Sequence, residues 1–128
     1  GCDRGATPYP IWGNDAGTIY EHERGFARGS VQAYARSGPV EIGNGDNTYM
    51  VRRVVPDEQT QGMVDLTFYT RLPGPLGTEY THGPYTINSP TSVRLTGRQV
   101  EVKIEENGTN TDFRVGQLRM DAAIAGER

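Results

Sequence analysis

The stretch Met63-Val64-Asp65-Leu66-Thr67-Phe68-Tyr69-Thr70-Arg71 decides the fold. Val64, Leu66 and Phe68 share one parity, and Asp65, Thr67 and Tyr69 share the other. A period of two puts these sets on opposite faces of a β-strand. One face is apolar and the other wet, as in an antiparallel sheet covered on one side. Residues 98–105 repeat the pattern, with Val100, Val102 and Ile104 inward and Gln99, Glu101 and Lys103 outward.

Working outward from these two segments, residues 48–55 are rich in β-branched side chains and read as a strand. Residues 31–42 read as a strand with a break. Val31, Ala33 and Ala35 oppose Gln32, Tyr34 and Arg36, Ser37-Gly38-Pro39 interrupts, and Val40-Glu41-Ile42 resume. Glycine and proline inside such a run mark a bulge or an edge. Residues 79–87 form a strand broken around Gly83-Pro84, and Val93 with Leu95 marks a short one. The last strand is expected over 112–124, with Gly116 as a bulge; residues 121–125, the one helical candidate, are too few to stand alone.

Turn signals separate these runs: Asn14-Asp15-Ala16-Gly17, Gly43-Asn44-Gly45-Asp46-Asn47, the polar connector 56–62, the loop 72–77, and Asn88-Ser89-Pro90. Asn107-Gly108, within 105–111, predicts a hairpin joining the last two strands, with Arg98 and Arg114 near its opposite ends. The expectation is an all-β chain, an antiparallel β-sandwich of about seven to eight short strands with long loops. Residues 1–30 read as an N-terminal arm with one or two short strands, around Tyr9-Pro10-Ile11-Trp12 and 18–23, and residues 31–128 as the sandwich domain.

Composition agrees. A chain of 128 residues is the size of one domain. Its 17 glycines and 8 prolines suit a turn-rich β fold and oppose a helical bundle. The net charge of −3 lacks the basic surplus of a general nucleic-acid binder, so no specific nucleic-acid binding is expected. No apolar run reaches the ~18 residues of a membrane-spanning helix. The single cysteine, Cys2, excludes an internal disulfide and a cysteine-based zinc site. Lys103 is the one lysine among 13 basic residues; the rest are arginines, which favour bidentate and stacked contacts.

The reactive-looking groups do not assemble into a catalytic pattern. Glu21-His22-Glu23 could suggest a metal or a base, but in a strand the two carboxylates face away from the imidazole, and His82 is far along the chain. Asp46 and Asn47 lack the alternating acids of a calcium loop. Ser30, Ser37, Ser89 and Ser92 lack a nucleophile elbow, and Cys2 lacks an activator. Asn107-Gly108-Thr109 fits a glycosylation acceptor, but Asn-Gly already has its explanation as a turn. No enzyme, metal site or cofactor is expected. The aromatics with polar tips (Tyr9, Trp12, Tyr20, Tyr34, Tyr49, Tyr69, Tyr80 and Tyr85) are candidates for contacts with sugars or partner proteins.

Several phrases, taken in order, resemble a segment of the virion structural proteins of tailed bacteriophages. They begin with Tyr9-Pro10-Ile11, Asp15, Gly17, Ile19-Tyr20-Glu21-His22-Glu23 and Gly25. Ser37-Gly38-Pro39-Val40-Glu41-Ile42-Gly43-Asn44-Gly45-Asp46, Arg53-Val54-Val55-Pro56-Asp57 and Phe68-Tyr69-Thr70-Arg71 follow. Gly83-Pro84-Tyr85, Gly97-Arg98-Gln99-Val100, Asp112-Phe113-Arg114-Val115-Gly116 and Leu118-Arg119-Met120-Asp121 lead to Gly126 and Arg128. The likeness spans residues 9–128, and the start with Cys2 departs from it.

The resemblance is to the C-terminal domain of tail nozzle, or tail tubular, proteins. It implies a non-enzymatic structural component of the virion, the terminal part of a longer protein, assembling into a ring. Its partners would be copies of itself and other phage tail proteins, and its place the phage tail. The residues expected at subunit interfaces are Tyr9, Trp12, Tyr20, His22, Arg52, Arg53, Arg98 and Arg114, with Arg94 and Arg119 as further anchors. The alternative is a carbohydrate-binding module that recognises a host surface glycan through exposed aromatics.

Overall fold

A computed structural model describes residues 5, 7–26, 31–42, 47–72, 77–87, 89–108 and 112–127. The expectations for Cys2, Ser30, the turn at 43–46, Asn88, Thr109 and Arg128 lie outside them, as does most of the loop at 72–77.

The described residues are all-β, with ten antiparallel strands rather than seven or eight. They are β1 (Ile11–Gly13), β2 (Ile19–Glu21), β3 (Tyr34–Arg36), β4 (Val40–Glu41) and β5 (Asn47–Pro56). Then come β6 (Val64–Arg71), β7 (Glu79–Thr86), β8 (Thr91–Gly97), β9 (Gln99–Glu106) and β10 (Leu118–Glu127). β1 and β2 form a two-stranded sheet. A three-stranded sheet has the order β10-β5-β8, and a five-stranded sheet has β3-β9-β6-β7, with β4 also on β9.

The alternation at 63–71 holds through β6. Val64, Leu66, Phe68 and Thr70 are buried, and the residues between them are half-buried. Both larger sheets feed one core. Val51 and Val54 from β5 and Val93 and Leu95 from β8 meet Leu66 and Phe68 from β6, Val100 from β9 and Ile87 beyond β7. Burial of such a side chain contributes about 1.5–3 kcal/mol, so these eight residues form the stabilising centre of the fold.

The break at Ser37-Gly38-Pro39 divides the expected strand into β3 and β4, both on the same side of β9. Val31 is exposed. The hairpin expected between the last two strands does not form. β9 is flanked by β6 along its length and by β3 and β4 on its other side, so it has no edge to offer. β10 pairs instead with β5, starts at Leu118, and takes the helical candidate 121–125 into its strand.

Residues 112–117 hold a clamp rather than a strand. Gln61 and Arg114 exchange backbone hydrogen bonds of 2.8 and 2.9 Å. Asp57 Oδ2 accepts from the Gln117 amide at 2.8 Å, and Oδ1 accepts from the Gln59 amide and the Thr60 hydroxyl. The Gln117 bond leads in holding the Asp57 carboxyl below the usual carboxylate range. Gly116 is required here by close approach: a Cβ would lie 2.0 Å from Asp57 Oδ1.

Candidate functional site

The N-terminal hairpin turns at Asn14-Asp15-Ala16-Gly17. The Gly17 amide donates to the Asn14 carbonyl at 3.1 Å, and the Thr18 amide to Asn14 Oδ1 at 2.9 Å. Gly17 has φ of 79°, which favours glycine. The register pairs Trp12 with Tyr20 and Ile11 with Glu21. Trp12 and Tyr20 therefore share one face, and the His22 ring lies 5.9 Å from the Trp12 ring. Trp12 is 56% exposed and Tyr20 52% exposed, while Ile19, on the other face, reaches 73%. Arg24 pairs with Glu21 and sits 5.9 Å from the centre of the Tyr9 ring. Four residues expected at an interface (Tyr9, Trp12, Tyr20 and His22) thus belong to one small hairpin.

The second candidate surface is the outer face of the three-stranded sheet. In β5 two buried valines, Val51 and Val54, flank two exposed arginines, Arg52 and Arg53. Against β10, Arg53 pairs with Asp121 and Val51 with Ala122, leaving Arg52 over, so the arginine pair forms a β-bulge; the β8 ladder also shifts here, with its extra residue on β8. The bulge lets two consecutive arginines reach the same surface without breaking the core. Arg94 lies between buried Val93 and Leu95 and so faces the same way. Arg119, opposite Val55, joins them. Asp121 is the only carboxylate that the described strands place on this face, and it bonds Arg53 at 2.7 Å. Arg52, Arg94 and Arg119 make no ion pair among the described residues.

The outer face of the five-stranded sheet is built differently. Glu101, expected outward and wet, is only 6% exposed. Arg36 Nη2 reaches its carboxylate at 2.7 Å and Arg71 Nη2 at 3.1 Å, while Glu79 bonds Arg71 at 2.9 Å. The Arg36 guanidinium stacks 3.9 Å from the centre of the Tyr69 ring. The bond to Glu101 leads in raising the Arg36 pKa, as the bond to Glu105 does for Lys103. Charges on this face close on one another.

Arg98 and Arg114 are not brought together. Arg98 Nη2 donates to Glu41 at 3.3 Å, and its Nε is buried without a hydrogen-bond partner among the described residues. Arg114 donates to the Gln59 side chain at 3.4 Å. His82 meets the buried Thr70 hydroxyl at 3.0 Å. Among the described residues no three His, Cys, Asp or Glu side chains stand close enough to hold a metal, and no helix is long and apolar enough to cross a membrane.

The sequence reading missed the unbalanced basic face. Its signal was available in Val51-Arg52-Arg53-Val54, where two polar residues between two apolar ones break the period of two. In comparisons with known proteins, no family model and no curated protein matches the chain.

Proposed function

We propose that this chain is a non-enzymatic assembly domain of a phage tail, the two larger sheets forming a β-sandwich and the N-terminal hairpin contacting neighbouring subunits. The ordered phrases from Tyr9 to Arg128 support the tail assignment, and the core shared by both sheets supports the sandwich. One observation carries the assembly reading. A hairpin with strands of three residues leaves Trp12, Ile19 and Tyr20 more than half exposed. An isolated two-stranded hairpin is at best marginally stable in water, so such a surface gains from being covered by a partner.

The test is peptide mass spectrometry on purified virus particles from the source. Stoichiometric peptides of this chain support a virion component, and their absence from clean particles sinks the reading. A second reading, a module binding a host surface glycan, draws on the same Trp12–Tyr20 pair, which offers flat rings for a sugar. It predicts saturable quenching of Trp12 fluorescence by glycans, which the assembly reading does not.

A further inference from the structure

We propose that the open edge of β10 pairs with the β10 edge of a second copy, antiparallel and centred on Met120. This goes beyond the assembly reading, which rests on the hairpin. The first ground is how the edges of the two larger sheets are kept. An edge strand exposes unpaired amides and carbonyls and invites another strand. β3 and β4 make one edge, which Ser37-Gly38-Pro39 interrupts. β7 makes the next, and Pro84 inside it has no amide to donate. β8 is the third, and an extra residue bulges from its ladder with β5. β10 is the fourth, ten residues long with no proline and no lysine. From Leu118 to Ile124 it carries no bulge of its own, because the extra residues in its ladder are Arg52 on β5 and Ala125.

The backbone of β10 offers bonds on its open side. Gln117 turns inward: its amide donates to Asp57 Oδ2 at 2.8 Å, and its carbonyl accepts from the Asp57 amide at 3.1 Å. Successive residues of an antiparallel ladder face opposite neighbours, so Leu118 and Met120 direct their amides and carbonyls away from β5. The apolar row of the strand also reaches solvent, with Met120 43% and Ile124 63% exposed.

The charges on β10 select a second β10 as the occupant. Arg119 and Asp121 lie on one face, either side of Met120. In an antiparallel pair centred on Met120, each copy's Arg119 stands opposite the other's Asp121, Met120 meets Met120, and Leu118 meets Ala122. Opposite charges facing one another across strands stabilise a pair, and like charges destabilise it. Centring on Asp121 would set two carboxylates face to face, and centring on Ala122 would leave Arg119 opposite Ala125. Arg119 makes no ion pair among the described residues. Asp121 bonds Arg53 through Oδ2 at 2.7 Å, which leaves Oδ1 for a second arginine. Glu101 already serves two arginines in this way, Arg36 through Oε2 and Arg71 through Oε1.

The contact is isologous and closes at two copies. It removes the edge from both and joins two three-stranded sheets in the order β8-β5-β10-β10-β5-β8.

The test uses the full chain in sedimentation velocity over a concentration series, with Arg119→Glu, Asp121→Arg and Met120→Pro as variants. Far-UV circular dichroism and thermal melting verify that each folds. Wild type is expected to pass from one copy to two as concentration rises. Each variant alone is expected to lose at least tenfold in association, the first two by setting like charges opposite and the third by removing an edge amide. An equal mixture of Arg119→Glu and Asp121→Arg is expected to regain the pair, because both cross-strand contacts then join opposite charges.

Variants that pair as wild type does would overturn the β10 interface. A mixture of the two charge variants that stays monomeric would overturn the register centred on Met120. A wild-type chain that stays monomeric at every concentration would overturn pairing between copies, and membership of the virion would still be decided by the peptides of purified particles.

Discussion

The outer faces of the two larger sheets use arginine in opposite ways. On the five-stranded sheet Arg36 and Arg71 close around Glu101 and Glu79, and the charges cancel within the chain. On the three-stranded sheet four arginines stand with one carboxylate among the described residues, Asp121, which bonds only Arg53. A face that neutralises itself serves the fold. A face that leaves its charge open destabilises itself slightly by repulsion. Residue type does not separate the two roles; the partners each arginine finds within the chain do.

Removing Glu101 should break this contrast most. Glu101→Ala takes away a carboxylate whose side chain is only 8% exposed and leaves Arg36 and Arg71 with Glu79 as their shared carboxylate. Breaking a fully buried ion pair costs about 3–5 kcal/mol. Both arginines here are roughly two-fifths exposed, so solvent screens the loss and about 2 kcal/mol is expected. Urea denaturation measures it, and a loss under about 0.5 kcal/mol would mean that Glu101 contributes no more than an exposed side chain.

The Asp57 clamp gives a pH-dependent effect next in size. Its carboxyl is held low by the Gln117 amide in the folded chain and titrates at its ordinary value when unfolded. The folded state therefore binds fewer protons from this group. Its stabilisation is full above the unfolded carboxylate value, about 3.9, and is lost as pH falls through the lower folded value. Asp57→Asn should flatten that acid limb of melting temperature against pH. Gly116→Ala should act in the same direction, because the new methyl group pushes the carboxylate off its donors. Equal acid limbs in wild type and Asp57→Asn would remove the clamp from the account.

Smaller effects sharpen the comparison from the other side. Arg53→Gln gives up an ion pair whose side chains are both 53% exposed, worth about 0.2–1 kcal/mol. Arg52→Gln and Arg94→Gln give up no ion pair among the described residues and should change stability by less than about 0.5 kcal/mol. A large stability loss at either would mean that the open face also serves the fold.

Much of this was legible in the residues. The alternation at 63–71 marked β6, and Val93 with Leu95 marked β8, because burying one face forces a period of two. Ser37-Gly38-Pro39 correctly announced an interruption, and Asn14-Asp15-Ala16-Gly17 marked a turn. Pairing was less legible. Asn107-Gly108 suggested a local hairpin, but β9 already had neighbours on both sides, and no local signal reports which edges are occupied. Glu101 was placed outward by parity, correctly, yet its burial follows from Arg36 on β3 and Arg71 on β6, which come from distant parts of the sequence. Parity puts Tyr20 and His22 on one side, but only the β1–β2 register and the ring contact bring Trp12 to the same face.

The most direct measurement is amide hydrogen exchange over residues 11–21 as the concentration of the intact chain is raised. The account predicts fast exchange in dilute solution, where a two-stranded hairpin stands alone, and protection that grows with concentration as partners cover it. Exchange that stays fast at concentrations where the chain is assembled would contradict it, because assembly would then proceed without the hairpin.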